Sequence, residues 1–383
     1  MSADVVELAA DLISIGSLSS GERTVADRCC EELRALGFRV SVDEAGNVLA
    51  EVGEGSPRVL FDGHLDTVAA NPNWSRDPLE PVLERDSLFG LGAVDMKGPI
   101  AAMMFGVADA AAAGKVRGTV GVSLSTLEEV LEGAALAVVV HRFRPDVVII
   151  AEPSDLRLML GQRGRAEITV DLRGIAAHAA FPERGVNALD AAVAFLGALA
   201  DRPEPSHPVL GRGILVATEA TTEPMPGVSV VPSRAGLRLD RRTLPEESSD
   251  AVLNELIPAL DAARAVGAYA SAEITTGELM TYTGHRLRGE RFLPAWITPP
   301  DGALAQAAER ALSVALGAVE VSNYGFCTNG SLTAGRLGIP TIGFGPGNPE
   351  QAHQADEHIP VSDLERGRTG FAALAAIQPE VIA

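Results

Sequence analysis

The sequence has little cysteine: Cys29, Cys30 and Cys327 are the three thiols in 383 residues. Three cysteines cannot form a disulfide framework and none has zinc-finger spacing, which excludes a small stapled scaffold and points to a reducing compartment. Basic charge is scarce as well. Lys and Arg number 31 against 51 Asp and Glu, a formal net charge of −20, and so acidic a surface repels nucleic-acid phosphates and anionic lipid. No uninterrupted apolar run approaches the ~20 residues of a membrane-spanning helix. The opening segment MSADVVELAADLISIG carries acids where a signal peptide needs bases. Internal repeats and low-complexity tracts are missing too. The expectation is a soluble cytoplasmic protein with neither nucleic acid nor membrane as partner.

What is present suits a globular chain. Hydrophobic residues make up 46% and charged residues 21%, and the length predicts two or three domains at about 150 residues each. The first third alternates strands and helices. Ser20 can cap a helix with apolar positions Val25, Cys29, Leu33 and Leu36, ended by Gly37. Strands are expected over 38–42, 47–52 and 58–62, a helix from near Pro99 to Gly114, and buried strands over 119–125 and 146–151. Near Gly161 the texture changes: RAEITVDLRG alternates as a half-exposed antiparallel strand does. Helices over 187–199 and 247–265 and a strand over 269–275 follow. From about Trp296 the α/β texture resumes, with a helix over 303–316 and a strand over 339–344. The pattern predicts an α/β fold, with a mixed, mainly parallel sheet flanked by helices over 1–161 and 280–383. A smaller α+β domain interrupts it over 162–279.

Five segments place His or carboxylate residues directly after strand-like runs. They are FDGHLDT with His64 and Asp66, GAVDMKG with Asp95, STLEEV with Glu128 and Glu129, IIAEPS with Glu152, and GPGNPEQAHQADE with His353. Loops at the carboxyl ends of sheet strands converge where ligands bind, and two imidazoles meeting several carboxylates make a binuclear site for zinc or a similar ion. Singly, each segment has an ordinary structural explanation. Asp95 could cap the helix near Pro99, Glu152 could end a strand, and a Glu-Glu pair is most often a solvated helix start.

Together, GHLDTV, W-x-x-D-P-L, G-x-G-x-x-D-M-K-G-x-I-A-A, E-E, E-P-S and A-H-x-x-D-E resemble the dinuclear zinc family of acetylornithine deacetylase, succinyl-diaminopimelate desuccinylase, aminoacylase and carboxypeptidase G. The motifs run in the family's order from His64 to Glu357. The resemblance implies that His64, Asp95 and Glu152 hold one metal, and that Asp95 bridges to a second held by Glu129 and His353. It makes Asp66 the carboxylate that orients the His64 imidazole, and Glu128 the general base that takes a proton from a water shared by the metals. The metals are expected to be zinc, with cobalt or manganese as alternatives. The inserted domain resembles a lid that dimerises the family's members. GIAAHAAFPERGVNA places His178 to reach the partner subunit's site and stabilise an oxyanion; a partly buried lid histidine is the plain alternative.

The implied activity is hydrolysis of a linear amide, in an N-acyl or N-carbamoyl amino acid or a short peptide. Dipeptidase or carboxypeptidase action and a non-catalytic, metal-binding regulatory homodimer are the alternatives. Arg242 matches a carboxylate-binding position of some relatives, and Gly345 and Gly347 frame a turn whose N–H groups could hold a substrate carboxylate. Leu91, Leu127 and Ser229 depart from residues common in the family, which leaves the substrate open. DRRT, TNGS and GFGPGNPEQAH are more similar to the branch grouped with selenium-metabolism-linked hydrolases.

Overall fold

The computed structural model describes residues 4–377. These divide into two compact units. One runs to Gln162, takes in Glu278–Gly289 and resumes at Trp296; the other comprises Arg163–Gly277 and Glu290–Ala295.

The first unit is built on a nine-stranded mixed sheet. Its strands are Arg39–Val42 (β1), Val48–Gly53 (β2), Arg58–His64 (β3), Thr119–Ser125 (β4), Val147–Ile150 (β5), Leu158–Gln162 (β6), Trp296–Ile297 (β7), Val321–Tyr324 (β8) and Thr341–Gly343 (β9). The order is β1-β2-β4-β3-β5-β9-β6-β7, with β8 also paired to β6. The centre, β4-β3-β5-β9, is parallel throughout, and antiparallel strands flank it. This is the mixed α/β class that the alternating pattern predicts.

Alternation along the central strands assigns each side chain to a face. Val59 and Phe61 of β3 and Val147 and Ile149 of β5 enter one core, which includes Ile100, Met104, Leu364 and Phe371. Leu60, Val148 and Ile150 enter the other, with Leu136, Val139 and Phe143. Strands buried on both faces read as continuous apolar runs, and each Val, Leu or Ile so buried contributes roughly 1.5–3 kcal/mol. Helix Lys97–Ala112 is buried along nearly its whole length, so its pattern carries little amphipathic signal. It packs closely on helix Val361–Ala375. Gly106 permits that approach, since a Cβ there would lie 2.7 Å from the Cβ of Phe371.

The second unit is an antiparallel sheet with helices on one face. Ile214–Glu223, Arg234–Arg242, Arg165–Arg173 and Tyr269–Ile274 follow one another in space. Ala166, Ile168, Val170 and Leu172 point inward on alternate positions, against Phe195, Leu256 and Leu260.

Two local expectations change. The helix expected from Ser20 starts at Arg23, because Ser20 is left-handed (φ 74°) and its hydroxyl donates to the Met280 carbonyl. The helix expected over 247–265 is two helices, Ser249–Asn254 and Ile257–Ala265. Pro258 lacks an N–H and suits the start of a helix, not its middle. Among the described residues no helix is long and apolar enough to cross a membrane.

Candidate metal centre

The sheet brings the acidic and imidazole groups to one edge. His64 is the last residue of β3, Glu128 and Glu129 follow β4 by three and four positions, and Glu152 follows β5 by two. His353 lies on the loop after β9. All four strands run parallel, so these loops meet above their carboxyl ends.

Two groups of donors form there. His64, Asp95 and Glu152 offer ligand atoms that lie within 4.8 Å of one another, and so do Asp95, Glu129 and His353. Asp95 belongs to both and divides its oxygens between them. Its Oδ1 stands 3.0 Å from His64 Nε2 and its Oδ2 stands 3.3 Å from His353 Nε2. His64 Nε2 is also 3.6 Å from Glu152 Oε1, and His353 Nε2 is 3.2 Å from Glu129 Oε1. The peptide bond after Asp95 is cis.

The imidazole of His64 is held by its other nitrogen. Nδ1–H donates to the backbone carbonyl of Asp66 at 2.8 Å, which points Nε2 at Asp95 and Glu152. The Asp66 carboxylate, expected to do this, stands 3.7 Å away. It accepts instead from Ser19 Oγ at 2.7 Å and from the N–H groups of Glu128 and Glu129 at 3.0 and 3.2 Å. Those two N–H groups open the short helix Glu128–Leu131 and have no carbonyl within that turn to receive them, so the buried carboxylate takes them.

The electrostatics are those of crowded negative charge. Burial, then repulsion by Glu152, Glu132 and Glu129, raises the Glu128 carboxyl well above its usual range. Burial, then Asp95, Glu129 and Asp62, does the same to Glu152. Burial would raise Asp95 too, but hydrogen bonds from His353 and His64 hold it below the usual range. His353, bonded to Asp95 and Glu129, is raised to about 10. Buried carboxylates that repel one another, aimed with two imidazoles at common points, are what divalent cations neutralise. The donor set fits metal.

Several supporting residues carry no local sequence signal. Glu22 is fully buried and its Oε1 accepts the N–H of Leu127 at 3.1 Å. Leu127 is left-handed (φ 57°) just before Glu128, a conformation that a branched residue keeps only when its surroundings hold it. Asn329 Nδ2 donates to Asp62 at 2.9 Å and to Ser125 at 3.0 Å, while its Oδ1 accepts from Gly133 N–H.

The remaining candidates lie as follows. Gly345 donates its N–H to Ser154 Oγ at 2.9 Å, and a Cβ there would collide with the Glu152 carbonyl. Gly347 is left-handed (φ 89°). The turn thus packs against the Glu152 segment, and the Gly345 N–H is already used. His178 and Arg242 belong to the second unit. His178 is exposed and its Nδ1 accepts from Ala180 N–H at 3.0 Å; Arg242 Nε pairs with Asp240 at 2.9 Å.

The family model described as Peptidase family M20/M25/M40 matches residues 60–376. The chain is 31% identical over 390 residues to the uncharacterized protein YgeY of Escherichia coli K12, covering 97% of this chain and 94% of that one. It is 29% identical to a succinyl-diaminopimelate desuccinylase of Xanthomonas euvesicatoria pv. vesicatoria, covering 94% and 95%. Among solved structures it superposes on the Bacillus subtilis YXEP protein, a dinuclear metal-binding peptidase, with a TM-score of 0.73 at 17% identity, covering 98% of each chain.

Proposed function

Because the chain belongs to peptidase family M20/M25/M40, whose members are metal-dependent hydrolases of amide bonds, we propose that it is a two-metal amidohydrolase. Its substrates are N-acyl or N-carbamoyl amino acids or short peptides, with deacylation ahead of dipeptidase action. The observation that carries this reading is the division of Asp95 between His64 and His353. A carboxylate with one oxygen in each donor group would be able to serve two ions at once.

In this reading His64, Asp95 and Glu152 hold one ion, and Asp95, Glu129 and His353 the other. Imidazole with carboxylate suits zinc, and cobalt or manganese fit the same donors. When bound, such a pair supplies Lewis acidity to an amide carbonyl and lowers the pKa of water. Glu128 is the acid beside both groups that neither uses. Burial raises its carboxyl well above the usual range, and a carboxyl so raised suits both taking a proton from the attacking water and returning it to the leaving nitrogen. The Asp66 carboxylate aims it by holding its N–H.

His178 is assigned to the oxyanion of a partner subunit, in a homodimer formed through the second unit. Its Nδ1 acts as acceptor, which leaves the proton on Nε2, the donor form this role requires. Arg242, with Nε held by Asp240, offers its terminal nitrogens to a substrate carboxylate. Gly345 and Gly347 shape the turn beside Glu152. No disulfide joins cysteines among the described residues, and such sparse cysteine use supports a cytoplasmic setting.

The test is turnover by the metal-free protein reloaded with zinc, cobalt or manganese, on a panel of N-acyl amino acids, N-carbamoyl amino acids and dipeptides. Metal-dependent release of a free amine from one class supports the reading. Two tightly bound ions with no turnover on any class would assign the chain to the regulatory alternative.

A further inference from the structure

Glu357 ends the A-H-x-x-D-E segment, four residues after His353, and the chemistry above gives it no part. It is 1% exposed. Both of its oxygens are spent on the loop that carries Asp95. Oε1 accepts the N–H of Val94 at 2.7 Å and of Asp95 at 2.9 Å, and Oε2 accepts the N–H of Gly92 at 3.1 Å. Its own carbonyl accepts from Gly90 N–H at 3.0 Å. Three amides of one loop converging on a buried carboxylate form a charge-assisted cradle.

Asp95 has two short-range tasks that must be met together, one oxygen toward His64 and the other toward His353. Its backbone must therefore be set before its side chain can divide. We propose that Glu357 is the positioning residue for Asp95: its carboxylate fixes the 92–95 backbone so that one side chain can serve both donor groups. The inference rests on the two-metal reading of the site. It also gives one loop two duties, with His353 as a donor and Glu357 setting the bridging carboxylate. The identity of the residue matters, because a glutamine would turn an amide N–H₂ toward at least one of the three N–H donors.

Plain fastening of the loop is a separate job, and Asp356 does it by accepting the N–H and Oγ of Ser75 at 3.0 and 2.7 Å. The two roles separate in a His353→Ala background, which keeps only the His64–Asp95–Glu152 group, none of it on the 353–358 loop. Metal-free proteins are titrated with Co(II), following the visible absorption band and binding heat, with circular dichroism to establish folding. Adding Glu357→Gln is expected to lower Co(II) affinity at that remaining group by about 10–100-fold, the scale of lost outer-shell partners, while Asp356→Asn leaves it unchanged. Glu357→Asp, which withdraws the carboxylate by one methylene, carries the same test if the glutamine variant does not fold. Unchanged affinity in either Glu357 variant, or an equal loss in Asp356→Asn, overturns the inference and leaves the two-metal reading standing. A wild-type chain that binds no Co(II) overturns both.

Discussion

The Asp66 carboxylate accepts the backbone N–H of Glu128 at 3.0 Å, while the Asp66 carbonyl accepts the His64 Nδ1–H at 2.8 Å. One residue thus orients the His64 imidazole with its backbone and the proposed general base with its side chain. Asp66→Asn keeps the carbonyl and the size but loses an acceptor for Glu128 or Glu129. The expected outcome is a kcat lower by about 10–100-fold with metal content per chain retained. Loss of the His64 metal in this variant, by elemental analysis, would return the carboxylate to orienting the imidazole.

Glu128→Gln tests the proton shuttle. The variant is expected to keep both ions and to lose on the order of 10²–10⁴ in turnover, the scale of general acid–base catalysis. Near-normal turnover, or a lost ion that Glu129→Gln retains, would exchange the roles of the two glutamates.

Metal removal should make stability depend on pH with a definite sign. In the metal-free protein Glu128 and Glu152 sit well above their ordinary 4.5, chiefly through burial. The folded chain then holds protons that the unfolded chain has released, so stability falls as pH rises above 4.5. His353, raised from 6.5 to about 10 by Asp95 and Glu129, adds stability that is complete below 6.5 and lost toward 10. Asp95, lowered from 3.8, contributes stability already complete by pH 4.5 and does not oppose the trend. Thermal midpoints in chelator should therefore fall from pH 5 to 9, and zinc should flatten the curve. A midpoint that is flat or rising without metal would contradict this electrostatic picture.

The gathering of His64, Asp95, Glu128, Glu129, Glu152 and His353 was legible because most of these residues end or follow buried strands rich in apolar residues, and parallel strands end on one side. The supports were not. Glu22 reaches Leu127 across 105 residues and Glu357 reaches Asp95 across 262, and neither distance leaves a periodicity to read. The resemblance implied that Asp66 orients His64 through its carboxylate, whereas the contact is made by its carbonyl. The start of the helix at Arg23 was hidden for a similar reason, since Ser20 is claimed by the distant Met280 carbonyl. The break before Ile257, by contrast, was written locally in Pro258.

Mixed dimers test the assignment of His178. Glu128→Ala and His178→Ala should each be nearly inactive alone. Random re-association makes half the dimers mixed, and each mixed dimer has one site with an intact Glu128 and an intact partner His178. About a quarter of all sites should recover in a closed two-fold dimer. Mixed dimers confirmed by a tag that stay inactive would place His178 outside the partner's site.

The claim on which the rest stands is that Asp95 serves two ions at once. Calorimetric titration of metal-free protein with Co(II) measures it through stoichiometry in three chains. Two ions per chain are expected for the wild type, one for His353→Ala, and none held tightly by Asp95→Ala. A folded Asp95→Ala chain that still binds one ion with wild-type affinity would contradict the shared ligand, and with it the two-metal account of this site.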